Sequence, residues 1–248
     1  MLLQTSTWPE VEAYLARSKG ALIPIGATEQ HGPMGLIGTD AICAEEVARG
    51  AGEAAGVLVG PTISVGMSHH HMEFPGSMTL KPSTLILVIR DYVLSLVDHG
   101  LERFVFVNGH GGNVASTTAA FYEIHTTLRE TRGAQAPDVR CLLVNWSQTE
   151  TVVELCEKEF GDSEGSHATP SEVALAQYAY PDHIKTAALD PQVAPAGKFH
   201  DARNYRRRFP DGRIGSDSSL ATPEIGGRIL AAAVADVVKI YGEFLAEE

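Results

Sequence analysis

The stretch ALIPIGATEQHGPMGLIGTD at residues 21–40 decides how this chain folds. Its first five residues form an apolar run that ends at Gly26, and such a run is typical of a short buried β-strand. A glycine-rich polar loop follows, and Asp40 can cap a helix that the spacing of apolar residues predicts over residues 40–55. Strand, loop and helix in this order are the opening unit of an α/β protein.

The rest of the chain continues this alternation. Short apolar runs predict further strands at residues 57–59, 104–107 and 139–145. Apolar residues at helical spacing predict further helices at residues 82–98, 113–131, 170–180 and 223–245, and another near the N-terminus that begins after Ser6 or Thr7. We therefore predict an α/β fold of three αβα layers around a mostly parallel central sheet, formed as a single domain by residues 1–248.

Residues 186–220 interrupt this pattern. They are rich in proline, glycine and arginine and show little periodicity. We interpret them as a long excursion that lies near the functional site or at a subunit contact.

Composition and charge exclude several classes of function. A chain of 248 residues with 44% hydrophobic and 20% charged residues is an ordinary globular composition. The net charge of −12 argues against a nucleic-acid partner, because a phosphate backbone requires a basic surface. A local cluster of Arg203, Arg206, Arg207 and Arg208 favours a solvated loop or subunit contact over a site for an anionic ligand.

The cysteines and the apolar runs indicate the cellular compartment. Cys43, Cys141 and Cys156 are widely spaced and form no CxxC pair, which is typical of reduced cysteines in a cytoplasmic protein. No apolar run reaches the length of a membrane span, and the first residues lack the features of a signal peptide. We therefore expect a cytoplasmic protein without a membrane partner.

Polar residues with metal-binding chemistry follow two of the predicted strands, where ligands bind in open α/β sheets. Glu29 and His31 are two residues apart, so their side chains face the same side of an extended segment. Asp40 follows a flexible loop, and His110 lies among the glycines of NGHGGN (108–113). Carboxylate and imidazole ligands suit Zn, Mn, Fe or Co. Singly, Asp40 could be a plain helix cap and the glycine-rich segment a phosphate-binding turn.

Several motifs give the chain a resemblance to a known family. They are PIGATEQHGP (24–33), TD (39–40), GMSHHHMEFPGS (66–77), NGHGGN (108–113), HATPSE (167–172), GSD (215–217) and ATPEIGGR (221–228). With them the chain resembles the creatininase family of metal-dependent amidohydrolases over nearly its whole length.

The resemblance implies a site for two divalent ions, Zn or Mn, with Fe as a further option. Glu29 and His110 would hold one ion and His31 the other, with Asp40 bridging them. Creatininase proper has a further glutamate ligand where this chain has Gly112. In relatives with NGHGGN a downstream glutamate takes that role, and Glu172 matches its position. Glu172 could instead only stabilise the N-terminus of its own helix.

The resemblance also implies pocket residues. His167 is the candidate general acid, and Ser77, His70 and Trp146 are the candidate substrate-binding residues. His70 stands where the family has a glutamate, and residues 169–170 depart from the family pattern, so the resemblance constrains the metals more than it constrains the substrate. Residues 69–71 either extend the polar lining of the pocket or are exposed loop histidines.

The resemblance further implies a dinuclear-metal amidohydrolase that acts on C–N bonds other than peptide bonds. A metal-activated water would attack a small cyclic amide or a formamide. The resemblance also implies a homo-oligomer, commonly a hexamer, to which residues 199–209 could contribute contacts.

Other functions stay open at this point. Hydrolysis of a C–C bond in a cyclic polyol ketone would use the same metal chemistry, and a non-catalytic metal-binding protein would keep the ligands. A serine hydrolase using Ser77 or Ser166 is disfavoured because the chain has no GxSxG elbow. Nucleotide binding is disfavoured because no glycine-rich phosphate-binding fingerprint is present.

Overall fold

The computed structural model describes residues 1–246 and is built around a four-stranded sheet with the strand order β2-β1-β3-β4. All neighbouring strands are parallel, and Ile25, Asn108 and Asn145 are paired at the carboxyl ends of the three longer strands. The loops that follow these strands therefore emerge at one edge of the sheet. The strands are β1 (Gly20–Ile25), β2 (Leu58–Val59), β3 (Arg103–Asn108) and β4 (Arg140–Asn145).

Seven of the helices among residues 1–246 cover the two faces of the sheet. One face packs against α1 (Trp8–Leu15), α3 (Pro82–Val97) and α4 (Val114–Arg132). The other packs against α2 (Thr39–Ala55), α5 (Glu150–Phe160), α6 (Pro170–Ala179) and α8 (Pro223–Ala246). The short α7 (Ala202–Arg208) lies in the long excursion.

Successive side chains along each strand point to opposite faces of the sheet, which explains why helices cover both faces. Leu22 and Val105 point to the core on the α2 side, whereas Ile23 and Phe104 point to the core on the α3 side. Each strand thus buries both of its faces, as parallel strands do. The predicted three-layer αβα fold with a parallel sheet is confirmed.

Two details differ from the sequence prediction. Helix α5 was not predicted, although Val152, Cys156 and Phe160 are buried at the i, i+4, i+8 spacing of an amphipathic helix. Asp40 does not cap α2: Gly38 is the N-cap, and Asp40 lies inside the first turn. Its carboxylate contacts two histidines, His31 and His110.

No helix within residues 1–246 is both long enough and apolar enough to span a bilayer.

Candidate metal centre

The first turn of α2 lies against the ends of β1 and β3. Gly26 and Gly109 permit this approach, because a Cβ at either position would lie less than 3.0 Å from the backbone of Asp40 or Ala41. Glycine is the residue that tolerates such a close backbone contact. The Asp40 carboxylate is thereby placed between the loop after β1 and the loop after β3.

The predicted metal ligands come together around this carboxylate. His31 Nε2 lies 2.9 Å from Asp40 Oδ1 and 3.9 Å from Glu172 Oε1. His110 Nδ1 lies 3.1 Å from Asp40 Oδ2 and 3.3 Å from Glu29 Oε1. Glu29, His31, Asp40 and His110 are buried, and Glu172 is half-buried. One site thus contains all five side chains that the sequence proposed.

The hydrogen bonds on the far side of each imidazole fix its tautomer. His31 Nδ1 lies 3.1 Å from the carbonyl oxygen of Glu29, and His110 Nε2 lies 3.0 Å from that of Met67. A ring nitrogen beside a carbonyl oxygen carries the proton, so in the neutral rings the other nitrogen presents a lone pair. Those lone pairs face carboxylates, and the arrangement is stable only with a proton or a cation between them.

The buried carboxylates also require a proton or a cation beside them. Both Oε atoms of Glu29 and Oδ2 of Asp40 are buried without a partner in hydrogen-bond geometry. A buried carboxylate oxygen without a hydrogen bond is costly, and a bound cation removes that cost. The residues present therefore fit a divalent metal ion.

Within residues 1–246, three groups of side chains have ligand atoms that all lie within 4.8 Å of one another. Each group combines imidazole with carboxylate, which is the donor set of Zn, Mn and Fe sites. The groups are Glu29 with His70 and His110, Glu29 with His31 and His167, and His31 with Asp40 and Glu172.

The pKa values show how the site is neutralised when no metal is bound. Burial opposes protonation of His31, but Asp40 and Glu172 raise its pKa to about 10. Burial likewise opposes protonation of His110, and Glu29 and Asp40 raise its pKa to about 9. Burial raises the pKa of Glu172 to about 7, although His31 acts against this. Protons on two imidazoles and one carboxyl thus take the place of cations.

These shifts predict that the metal-free protein loses stability as the pH rises. His31 and His110 have pKa values raised above the ordinary 6.5, so their stabilising contribution is complete below about pH 6.5 and disappears as the pH passes 9 to 10. We expect the melting temperature of chelator-treated protein to fall by roughly 10 °C over this window. Thermal scans at fixed ionic strength measure this change, and with added Zn²⁺ the melting temperature should vary less with pH. A melting temperature that rises from pH 7 to 10 without metal would contradict the assignment.

A cavity of about 400 Å³ opens beside these ligands. His70, His71, His110 and His167 line it together with aromatic and aliphatic side chains of the excursion, including Phe199, Tyr205 and Ile214. The excursion of residues 186–220 therefore lies at the site, the first of the two placements that the sequence left open.

His167 lies at the junction of the cavity and the ligand cluster. Its Nε2 is 2.8 Å from the carbonyl oxygen of Gln30, and its Nδ1 is 3.8 Å from Glu29 Oε1. Burial, and then the charges of His71 and His31, lower the pKa of His167 well below its usual range. The ring is therefore neutral, and its Nε2 also lies 2.9 Å from Gln30 Nε2.

The three predicted substrate-binding residues have different surroundings. His70 lines the cavity, where it stacks on Phe199 with ring centroids 5.0 Å apart. Ser77 Oγ accepts a hydrogen bond from the backbone N–H of Gln30, so it holds the ligand-bearing loop. Trp146 is 1% exposed in the core on the α2 side, so the expectation that it lines the pocket is corrected. The chain turns inward directly after β4 and carries the indole into the core.

Three further residues lie at the site. The sequence prediction missed Gln30 and Tyr205, and it left open whether His71 lines the pocket. His71 Nε2 lies 3.1 Å from Glu29 Oε1, and its Nδ1 lies 2.8 Å from Gln30 Nε2. Gln30 Nε2 also donates to the carbonyl oxygen of Gly212, to which Tyr205 donates as well. The position of Gln30 between two ligands was a usable signal, whereas nothing local pointed to Tyr205.

Comparisons with known proteins identify the family of this chain. The family model described as Creatininase, creatinine amidohydrolase, matches residues 4–241. A mycofactocin precursor peptide peptidase of Mycobacterium ulcerans is 29% identical over 94% of this chain and 84% of its own length. A creatinine amidohydrolase of Pseudomonas putida is 28% identical over 72% of this chain and 71% of its own length.

A solved structure of similar fold is described as creatininase with Mn. It superimposes with a TM-score of 0.85 at 25% sequence identity, and the match covers 99% of both chains. Because the family model spans almost the whole chain, the protein belongs to the creatininase family.

Proposed function

We propose that this protein is a metal-dependent hydrolase that cleaves an amide C–N bond of a small molecule. The observation that carries the proposal is the set of buried Glu29 and Asp40 oxygens without hydrogen-bond partners, beside a cavity of about 400 Å³. The relatives named as creatinine amidohydrolase and as creatininase with Mn support both the metal and the bond type.

The ligand set divides naturally between two ions. Glu29 and His110 would hold one ion, His31 and Glu172 the other, and Asp40, with one oxygen near each histidine, would bridge them. Zn²⁺ and Mn²⁺ suit these donors, and Fe²⁺ is a further option. When bound, such ions lower the pKa of water towards neutrality and polarise a carbonyl oxygen.

The chain's own residues supply the proton transfers. His167 is neutral and lies where the cavity meets the ligand cluster, so its unprotonated ring nitrogen can take the proton that the attacking nucleophile releases. The same nitrogen then returns that proton to the leaving nitrogen as the C–N bond breaks. His71 lies against Glu29 and, with Gln30, restricts how that carboxylate can rotate.

The cavity supports a compact, flat substrate. Its aromatic wall contains His70, Phe199 and Tyr205, against which a planar ring can stack, and its volume matches a small molecule. A cyclic amide or a formamide fits these properties. A second candidate is a peptide bond, which is favoured by the 29% identity to a peptidase over 94% of the chain.

Metal removal tests the function directly. We expect dialysis against a chelator to abolish hydrolysis and added Zn²⁺ or Mn²⁺ to restore it, because no side chain at the site replaces the metal's activation of water. Metal analysis should find two ions per chain. Cyclic amides, formamides, cyclic ketones and short peptides form the substrate panel. Hydrolysis that persists fully without metal would refute the proposal, and bound metal without any hydrolysis would favour a binding protein.

A further inference from the structure

We propose that His70 is an additional ligand of the ion that Glu29 and His110 hold, an inference that rests on the proposed function. His70 is the middle residue of a short 3-10 helix, His69–His71, above the ligand cluster. The ligand atoms of Glu29, His70 and His110 all lie within 4.8 Å of one another. Metal–ligand bonds of about 2.0–2.2 Å place two ligand atoms of one ion up to roughly 4 Å apart, so only a small closure is required.

The rings of His70 and His110 are close neighbours at the site. The rings of His70 and His110 are nearly parallel, at 14°, with centroids 5.9 Å apart. The position of His70 is fixed from behind by Phe199 at 5.0 Å and from the side by His71 at 4.2 Å. In the part of the chain that the structure describes, residues 1–246, the His70 side chain makes no hydrogen bond.

The surroundings of His110 explain why the ligand comes from this segment. Gly112 carries no side chain, and a Cβ there would lie less than 3.0 Å from the His110 ring and from the Met67 carbonyl oxygen. Residue 112 therefore cannot supply a donor in this conformation. His70 reaches the same histidine from the cavity side, where space is open.

The consequence is an ion position with more protein donors than a minimal catalytic site. This position would have two imidazole and two carboxylate donors, from His70, His110, Glu29 and Asp40. Four donors raise its affinity for Zn²⁺ relative to a three-ligand site. The position formed by His31, Asp40 and Glu172 keeps three protein donors and the more open coordination.

Three variants of the full-length protein test this inference. His70→Phe keeps a flat ring against Phe199 but removes the donor nitrogen, His70→Glu replaces it with a carboxylate donor, and His69→Gln changes the exposed neighbour as a control. Zn²⁺ affinity is measured by chelator competition, and the visible absorption of Co²⁺-loaded protein reports the coordination number. Circular dichroism checks folding, and His70→Gln replaces His70→Phe if the latter does not fold.

We expect His70→Phe to lower the affinity for one of the two ions by about 100-fold or more. Losing even a residue that hydrogen-bonds a metal ligand lowers metal affinity by roughly 10- to 100-fold. The Co²⁺ spectrum should change as a donor is lost. His70→Glu should recover most of the affinity, and His69→Gln should match the parent. Unchanged affinity and spectrum in His70→Phe, with only a raised KM, would show that His70 contacts substrate and overturn the inference. A parent protein that binds no metal would instead refute the proposed function itself.

Discussion

Asp40→Asn should abolish hydrolysis and leave at most one metal ion per chain. The carboxylate has one oxygen 2.9 Å from His31 and the other 3.1 Å from His110, so it is the side chain that joins the two halves of the site. An amide presents one neutral oxygen and one NH₂ group, and the latter cannot bind a cation. We expect kcat to fall by at least about a thousandfold, equivalent to about 4 kcal/mol of barrier.

Metal analysis after gel filtration and steady-state kinetics measure the two effects of Asp40→Asn. Glu53→Gln is the matched control, because it also neutralises a carboxylate of α2 but at an exposed position. The variant also removes one of the charges that hold the pKa of both histidines high, so the stability of its metal-free form should depend less on pH than that of the parent. Two bound ions and activity within tenfold of the parent would show that Asp40 is not the bridge.

The ligands were predictable because the backbone topology alone determines where they meet. Parallel strands place the loops after β1 and β3 at one edge, and Glu29, His31 and His110 follow those strands within six residues. A short extended segment then sets their direction. The sequence pattern also predicted both layers of helices, since continuous apolar strands require cover on both faces.

The contacts that the sequence did not predict depend on the path of long loops. His71 and Gln30 meet because the segment 66–77 folds back over the loop after β1, which is held by the Ser77 hydrogen bond. Tyr205 arrives from an excursion without periodicity, and Trp146 turns into the core by a single change of direction after β4. Such contacts join distant parts of the chain, and no local pattern encodes them.

Glu172→Gln should remove one ion without weakening the fold, because the two tasks of this side chain use different properties. Its Oε1 accepts a hydrogen bond from the Thr169 backbone N–H at 2.7 Å, as part of a capping box at the start of α6. Glutamine keeps an oxygen acceptor for this cap, so the melting temperature of the metal-free protein should stay within about 4 °C of the parent. The negative charge that faces His31 at 3.9 Å is lost.

We therefore expect Glu172→Gln to release the ion at His31 and to lower kcat/KM by at least about 100-fold, or roughly 3 kcal/mol. Glu224→Gln, at an exposed glutamate in the first turn of α8, is the control for a simple effect on helix electrostatics. If Glu172 only stabilised its helix, both variants would keep two ions and both would lose a few tenths of a kcal/mol of stability.

Adding Gly112→Glu should not rescue Glu172→Gln, although a glutamate at residue 112 would restore the ligand arrangement that the resemblance implies for creatininase proper. Its Cβ would lie less than 3.0 Å from the His110 ring and from the Met67 carbonyl oxygen. The ring is an ion ligand and the carbonyl fixes its tautomer, so both must move before the new carboxylate can reach an ion. We expect the double variant to bind less metal than Glu172→Gln alone and to be destabilised by roughly 1–3 kcal/mol. Recovery of two ions and of activity would show instead that the loop after β3 adapts freely, and that the ligand can be moved between the two positions without cost.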